Sequence, residues 1–342
     1  MDNLIICENL VKIYPSSISR GHKGVEVVAL QGLDLTVEKG EMTAIVGESG
    51  SGKSTLLNIL GGLDRPTAGK VIVAASNLLE MPAKAVNDYR LKKVGFVWQQ
   101  TTRNLSPYLS ALENVILPMR INQISERESR QNAAELLAMT GLSARLQHLP
   151  GQLSGGEQQR VAIAVAFANQ PDLILADEPT GELDTATSIT IYNVLQDMNR
   201  EFGTTVLIVS HDPGISRYVD RVVLIRDGKT STETVRIPTA EKPEDYNQSS
   251  EPVYEELLML DKAGRVQLPQ GMRAALNIGS RVRAEVSPQG ILLKPVAGHS
   301  HSSEADQPAQ LTGQIYMQEE PLEEGKPSFL QKIKNHWHRG TQ

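Results

Sequence analysis

The stretch GESGSGKS at residues 47–54 constrains this chain more than any other. Gly47, Gly52, Lys53 and Ser54 satisfy a G-x-x-x-x-G-K-[ST] pattern, directly after the apolar run MTAIV and directly before TLLNILGGL, which reads as a helix. Glycines in such a loop let backbone N–H groups turn inward around the α- and β-phosphates of a nucleotide, and the helix start adds the positive end of its dipole. Lys53 is placed to reach the β/γ-phosphates and Ser54 to hold Mg²⁺. Glu48, Ser49, Gly50 and Ser51, with Thr55 just beyond, complete the lining.

A second polar cluster ends another apolar run. LILADEPT delivers Asp177 and Glu178 from a buried strand. Adjacent carboxylates in such a place are costly unless a cation or a water needs them. Asp177 suits Mg²⁺, usually through water, and Glu178 suits polarising an attacking water. His211, in IVSHD, follows a third buried run, where an imidazole could contact the γ-phosphate. Lys53, Glu178 and His211 are the candidate catalytic residues; Ser54 and Asp177 are the candidate metal ligands.

From the N-terminus to about residue 232, strand-like runs alternate with amphipathic helical stretches, which predicts an α/β sheet architecture. The buried strands are MTAIV, DLILAD and TTVLIVS, and ligands sit at the ends of such strands. A length of 342 residues allows this domain and a smaller companion. The net charge of −6 gives no global reason to expect nucleic acid as the main partner. One cysteine, Cys7, rules out a disulfide framework and fits a reducing compartment. The start of the chain does not read as a signal peptide, and no run approaches the ~20 apolar residues of a membrane helix.

In order, GESGSGKST, FVWQQ, LSGGEQQR, LILADEPT, GELD and IVSHD resemble the ATPase subunit of an ABC transporter over roughly residues 1–232. STLLNILGGLDRPTAGKV and NLSPYLSALENVILPM look like the macrolide-exporter and lipoprotein-release type (MacB/LolD). The resemblance implies a P-loop ABC ATPase domain with a helical signature subdomain, ATP and Mg²⁺ as cofactors, and hydrolysis to ADP and phosphate. Two copies would pair head to tail and energise a separate transmembrane permease for export or release of a lipid, lipoprotein, peptide or drug-like substrate. The chain would sit peripherally on the cytoplasmic face of the cell membrane. By the same resemblance Tyr14 would stack on adenine, Gln99 would touch Mg²⁺ or water and face the permease, and Asp184 and His211 would be the D-loop aspartate and switch histidine. Ser154, Gly155 and Gly156, followed by Glu157, form the signature turn. It lacks a lysine because it would close over ATP whose charge is met by Lys53 of the other copy. The polar insert SSISRGHKG, after Tyr14, departs from the family pattern.

The domain reading is 1–235 for the ATPase, 236–252 for a linker rich in Pro, Ser and acid, 253–297 for a second module, and 298–342 for a disordered tail. The second module, with DKAGRVQLP, QGMRAALNI, GSRVRAEV and GILLKP, resembles the AbrB-type swapped-hairpin domain. In that family two chains interleave into one small β-rich barrel, which implies a dimerisation clamp. The alternative is an ATP-responsive DNA-binding regulator that uses Lys262, Arg265, Arg273, Arg281 and Arg283. In the tail, residues 328–339 place Phe329, Leu330, Ile333 and Trp337 on one helical face among Lys332, Lys334 and Arg339, a pattern that suits an anionic membrane surface.

Overall fold

In the computed structural model the described residues are 2–15, 26–236, 254–260, 264–276, 278, 282–287 and 290–295. The chain opens with two long strands, β1 (Asn3–Tyr14) and β2 (Val27–Glu38), then β3 (Met42–Val46), the phosphate loop and α1 (Lys53–Leu60). The strands β4 (Ala68–Val73) and β5 (Ser76–Asn77), helix α2 (Ala83–Lys92) and strand β6 (Val94–Trp98) follow. The helical region holds α3 (Ala111–Ile121), α4 (Glu126–Met139) and α5 (Gly155–Phe167). Next come β7 (Leu173–Asp177), α6 (Thr185–Phe202), β8 (Thr205–Val209), β9 (Arg221–Arg226), β10 (Lys229–Arg236) and β11 (Tyr254–Leu258). The last elements are α7 (Gln270–Ala275), β12 (Val282–Ser287) and β13 (Gly290–Pro295).

The large sheet runs β11-β10-β9-β3-β8-β7-β6, parallel from β9 to β6 and antiparallel at β9–β10–β11. A second sheet, β2-β1-β4-β5, is antiparallel throughout. The parallel strands are apolar on both faces, as strands covered on both sides must be. Their alternation divides the core. Met42, Ala44, Val46, Ile174, Ala176, Val206 and Ile208 face the helices, while Ile45, Leu173, Leu175, Leu207 and Val209 face α1 and the antiparallel sheet.

Helix starts follow local chemistry. Ser110 and Ser154 each form a reciprocal capping box, with Glu113 and Glu157, and Ser125 and Asp184 cap α4 and α6. At the start of β9, the half-buried Arg221 guanidinium pairs with Glu41 at 2.7 Å and Glu233 at 2.8 Å and donates to the Thr36 carbonyl at 2.6 Å. That network joins β9 and β10 to the entry of β3.

The chain divides into two compact units, Met1–Gln267 and Leu268–Gln342. The sequence reading starts the second module at residue 253, whereas Tyr254–Leu258 adds a strand to the large sheet, in register from Thr232↔Leu258 to Arg236↔Tyr254. The open edge of β10 accounts for this, since its unpaired N–H and C=O groups find partners in an incoming strand. In the second unit α7 precedes the antiparallel hairpin β12–β13, paired from Val282↔Pro295 to Ser287↔Gly290. Met272, Leu276, Val282, Ile291 and Leu292 are exposed on it. The insert at 16–24, the linker after Arg236, Lys262, Arg281 and the tail at 298–342 lie outside the described residues. Among the described residues no helix is long and apolar enough to cross a membrane.

Candidate functional site

Register brings the separate motifs to one edge of the large sheet. Ile45 pairs with Val209, Val209 with Asp177, and Asp177 with Trp98. The residues that follow these strands, starting at Gly47, Ser210, Glu178 and Gln99, therefore emerge side by side at the carboxyl ends of parallel strands, where α/β sheets bind ligands.

The loop after β3 is built around its glycines. A Cβ at Gly47 would stand 2.3 Å from the Ile225 carbonyl oxygen, and Gly52 adopts φ 103 as the N-cap of α1. Lys53 is buried, and its ammonium donates to the Gly47 and Glu48 carbonyls at 2.8 and 2.9 Å. The Ser51 hydroxyl oxygen is buried with no hydrogen-bond partner. Such an orphan is unusual in a folded chain; a Cβ at Gly47 would stand 2.7 Å from it, beside the Ile225 carbonyl at the back of the loop. Glu48, Ser49, Gly50 and Ser54 are exposed and Thr55 is half-buried.

Asp177 is half-buried; burial pushes its carboxyl up, and the neighbouring Glu178 adds to this against Arg103 and Lys53. Glu178 adopts φ 45, its amide donates to the Val209 carbonyl at 2.9 Å, and its Oε2 lies 3.1 Å from His211 Nδ1. Gln99 packs over the loop that follows, where a Cβ at Gly181 would come within 2.8 Å of Gln99 Nε2. The donor set fits magnesium: one hydroxyl from Ser54, one carboxylate from Asp177 and one amide from Gln99. That ion keeps several waters and takes its other ligands from phosphates. Among the described residues no group of three or more His, Cys, Asp and Glu could form an all-protein cage.

Tyr14 ends β1. Its hydroxyl donates to Asp64 Oδ2 at 2.7 Å; burial pushes the phenol up, Asp64 adds to this, and a hydrogen bond with the Thr55 hydroxyl opposes it. Lys12 and Asp64 are the residues the sequence reading missed; the signal was only their spacing from Tyr14 and from the end of α1. Arg103, whose guanidinium lies 5.6 Å from the Trp98 ring centroid, is a further cation acting on Asp177.

The signature turn stands apart from this edge, at the start of α5. Ser154 Oγ accepts from the Glu157 amide at 3.3 Å, while the Ser154 amide donates to Glu157 Oε2 at 2.8 Å. That bond, with Arg145 Nε at 3.0 Å, holds the Glu157 carboxyl down to about 2 despite a small opposing effect of burial. Ser154 and Gly155 are exposed. The Asp184 carboxylate caps α6, accepting from the Thr187 amide at 3.0 Å and its hydroxyl at 2.6 Å. The helical region is tied back to the strand end, because Thr101 donates to Gln158 Oε1 at 2.8 Å and Gln159 to the Trp98 carbonyl at 3.2 Å.

A phosphate loop, a carboxylate pair, a histidine and a separate serine–glycine helix start on one α/β frame define a nucleotide hydrolase. The ABC transporter family model matches residues 30–181. The lipoprotein-releasing system ATP-binding protein LolD of Idiomarina loihiensis is 43% identical over 227 residues, covering 66% of this chain and 96% of that protein. The uncharacterized ABC transporter ATP-binding protein YbbA of Escherichia coli is 47% identical over 226 residues, 66% of this chain and 98% of that one. The ATP-binding cassette MJ0796 has been solved as a dimer, and it superposes with a TM-score of 0.60 at 40% identity over 71% of this chain and all of that one. A post-hydrolysis dimer of MJ0796 bound to ADP and Pi gives a TM-score of 0.59 at 39% identity. The chain belongs to the ABC transporter family, as an ATP-binding subunit whose cassette hydrolyses ATP.

Proposed function

We propose that two copies of this chain pair head to tail, each phosphate loop closed by the other's signature turn, and that the pair energises a separate transmembrane permease. The reading rests on one observation above the rest: Ser154 and Gly155 present an exposed helix start with no lysine beside it, a phosphate-binding surface that needs its cation supplied from elsewhere. That MJ0796 has been solved as a dimer supports the pairing of two copies.

Within each site Lys53 would leave the Gly47 and Glu48 carbonyls for the β/γ-phosphates. Magnesium, held by Ser54, Asp177 and Gln99, would neutralise charge on the phosphate oxygens. Glu178 polarises the attacking water, and His211 holds the Glu178 carboxylate in place from 3.1 Å. Tyr14 stacks on the adenine ring. Asp184 positions the start of α6 beside the signature, whose Gly155 lies against Leu183.

The name of the LolD relative supports release of a lipoprotein as the transport step; docking on the cytoplasmic face of the membrane follows from the pairing with a permease proposed above. The second module is read as an AbrB-like clamp. Its exposed Met272, Leu276, Val282, Ile291 and Leu292 are what a second copy of so small a unit would cover. The DNA-binding alternative draws no support from the comparisons. Purification of the tagged full chain from detergent-solubilised membranes tests the proposal: a stoichiometric integral membrane protein is expected, and recovery of the chain with DNA and no membrane protein would overturn it.

A further inference from the structure

The Tyr14 ring is held on two sides by residues outside every nucleotide motif. Lys12 lies two residues earlier on β1, and its ammonium stands over the Tyr14 ring at 4.7 Å from the centroid. Lys12 is buried, with a relative exposure of 9%. Two of its three N–H donors are taken, one by Asp64 Oδ1 at 2.6 Å and one by the Arg65 carbonyl at 2.8 Å. The other Asp64 oxygen takes the Tyr14 hydroxyl at 2.7 Å. Asp64 is itself fixed by the turn that ends α1, where the amides of Leu63 and Asp64 donate to the Asn58 carbonyl and the Arg65 amide donates to Asp64 Oδ1 at 2.7 Å.

We propose that Lys12 and Asp64 are positioning residues for the base end of the nucleotide site. They fix the Tyr14 ring so that one face is taken by the ammonium and the other is presented to adenine. A tyrosine at the end of a strand would otherwise turn about its side-chain torsions, and ordering it on binding would cost affinity. The helix that carries the phosphate loop at its start carries Asp64 just past its end, so base platform and phosphate cradle share one rigid support. A carboxylate is the one side chain that can accept from an ammonium and a phenol through two oxygens at once. The inference rests on the reading of Tyr14 as the adenine platform.

The test uses the full chain in magnesium-free buffer, so that binding is read without hydrolysis, with ATP and inorganic tripolyphosphate as separate probes. Tyr14→Ala should weaken ATP binding about tenfold, the worth of one base stack, and leave tripolyphosphate unchanged. Asp64→Asn, which keeps size but lets only one oxygen accept, and Tyr14→Phe, which keeps the ring but removes its tether, should each lose several-fold for ATP and nothing for tripolyphosphate. Asp64→Asn combined with Tyr14→Ala should be no worse than Tyr14→Ala alone, since both act through one contact. If Tyr14→Ala weakens ATP binding while Asp64→Asn and Tyr14→Phe match the wild type, the positioning role is overturned and the platform stands. If Tyr14→Ala itself matches the wild type, the platform reading falls and this inference with it. An equal loss for both probes would reduce the cluster to a structural one.

Discussion

His211 Nδ1 lies 3.1 Å from Glu178 Oε2, at the ends of neighbouring strands, and Glu178 holds this position with a left-handed backbone at φ 45. The carboxylate is thereby aimed by two constraints, one on its main chain and one on its tip. Glu178→Gln keeps the shape and removes the base, so ATP binding should persist while hydrolysis falls about 10²–10⁴-fold. Steady-state phosphate release beside equilibrium ATP binding checks this, and normal turnover would remove Glu178 from the chemistry.

Gly155 and Gly156 should respond in opposite ways although they are adjacent. A Cβ at Gly155 meets only Leu183, at an ordinary 3.6 Å, whereas one at Gly156 would stand 2.4 Å from Thr187 Cγ2. Gly155→Asp is therefore expected to leave the thermal midpoint and single-chain ATP affinity near wild type and to abolish hydrolysis, because the added charge faces the partner's phosphate. Gly156→Ala should lower the thermal midpoint itself. Loss of ATP affinity in the isolated Gly155→Asp chain would place the signature in its own site instead.

The full chain should remain a dimer without nucleotide, whereas a chain ending near residue 235 should be a monomer until ATP is added. Cassettes that meet mainly through sandwiched nucleotide have weak contact when empty, and a tethered clamp would hold them at an effective concentration of roughly millimolar. Light scattering on both chains, with and without ATP, reads this. A monomeric empty full-length chain would dispose of the clamp.

Glu157 should make the signature helix sensitive to acid. Its carboxyl titrates at about 2 in the folded chain against an ordinary 4.5, held down first by the Ser154 amide and then by Arg145. A depressed folded value means the stabilisation is complete above pH 4.5 and drains away as the pH falls towards 2. The thermal midpoint of the wild type should therefore exceed that of Glu157→Gln near neutrality, with the gap closing in acid. A gap independent of pH would show that the carboxylate's charge plays no part.

The phosphate edge could be read from the sequence because each motif follows an apolar run that can only be a buried strand. The runs ending at Val46, Asp177 and Ser210 lie within a residue of the strands observed. The antiparallel sheet of β1, β2 and β4 was less legible, since its pairs carry register shifts at Cys7/Leu10 and Lys12/Ile13 that blur a period of two. Lys12 was hidden for another reason. A lysine in a strand reads as solvent-facing, and its burial depends on a carboxylate 52 residues away that no local pattern announces. The placement of Tyr254–Leu258 on β10 depends on a free sheet edge, a property of the folded chain that no stretch of residues carries by itself.

That last pairing changes what the Pro- and acid-rich stretch before it has to do. Arg236 and Tyr254 are register partners, so the chain between them begins and ends about 4.8 Å apart, one strand spacing. Its length sets no reach: doubling a closed loop costs only about 0.6 kcal/mol, so insertions and deletions there should be tolerated almost freely. What cannot vary is the ladder from Thr232↔Leu258 to Arg236↔Tyr254. A pull on the chain beyond Leu258 is met first by that ladder and the sheet behind it.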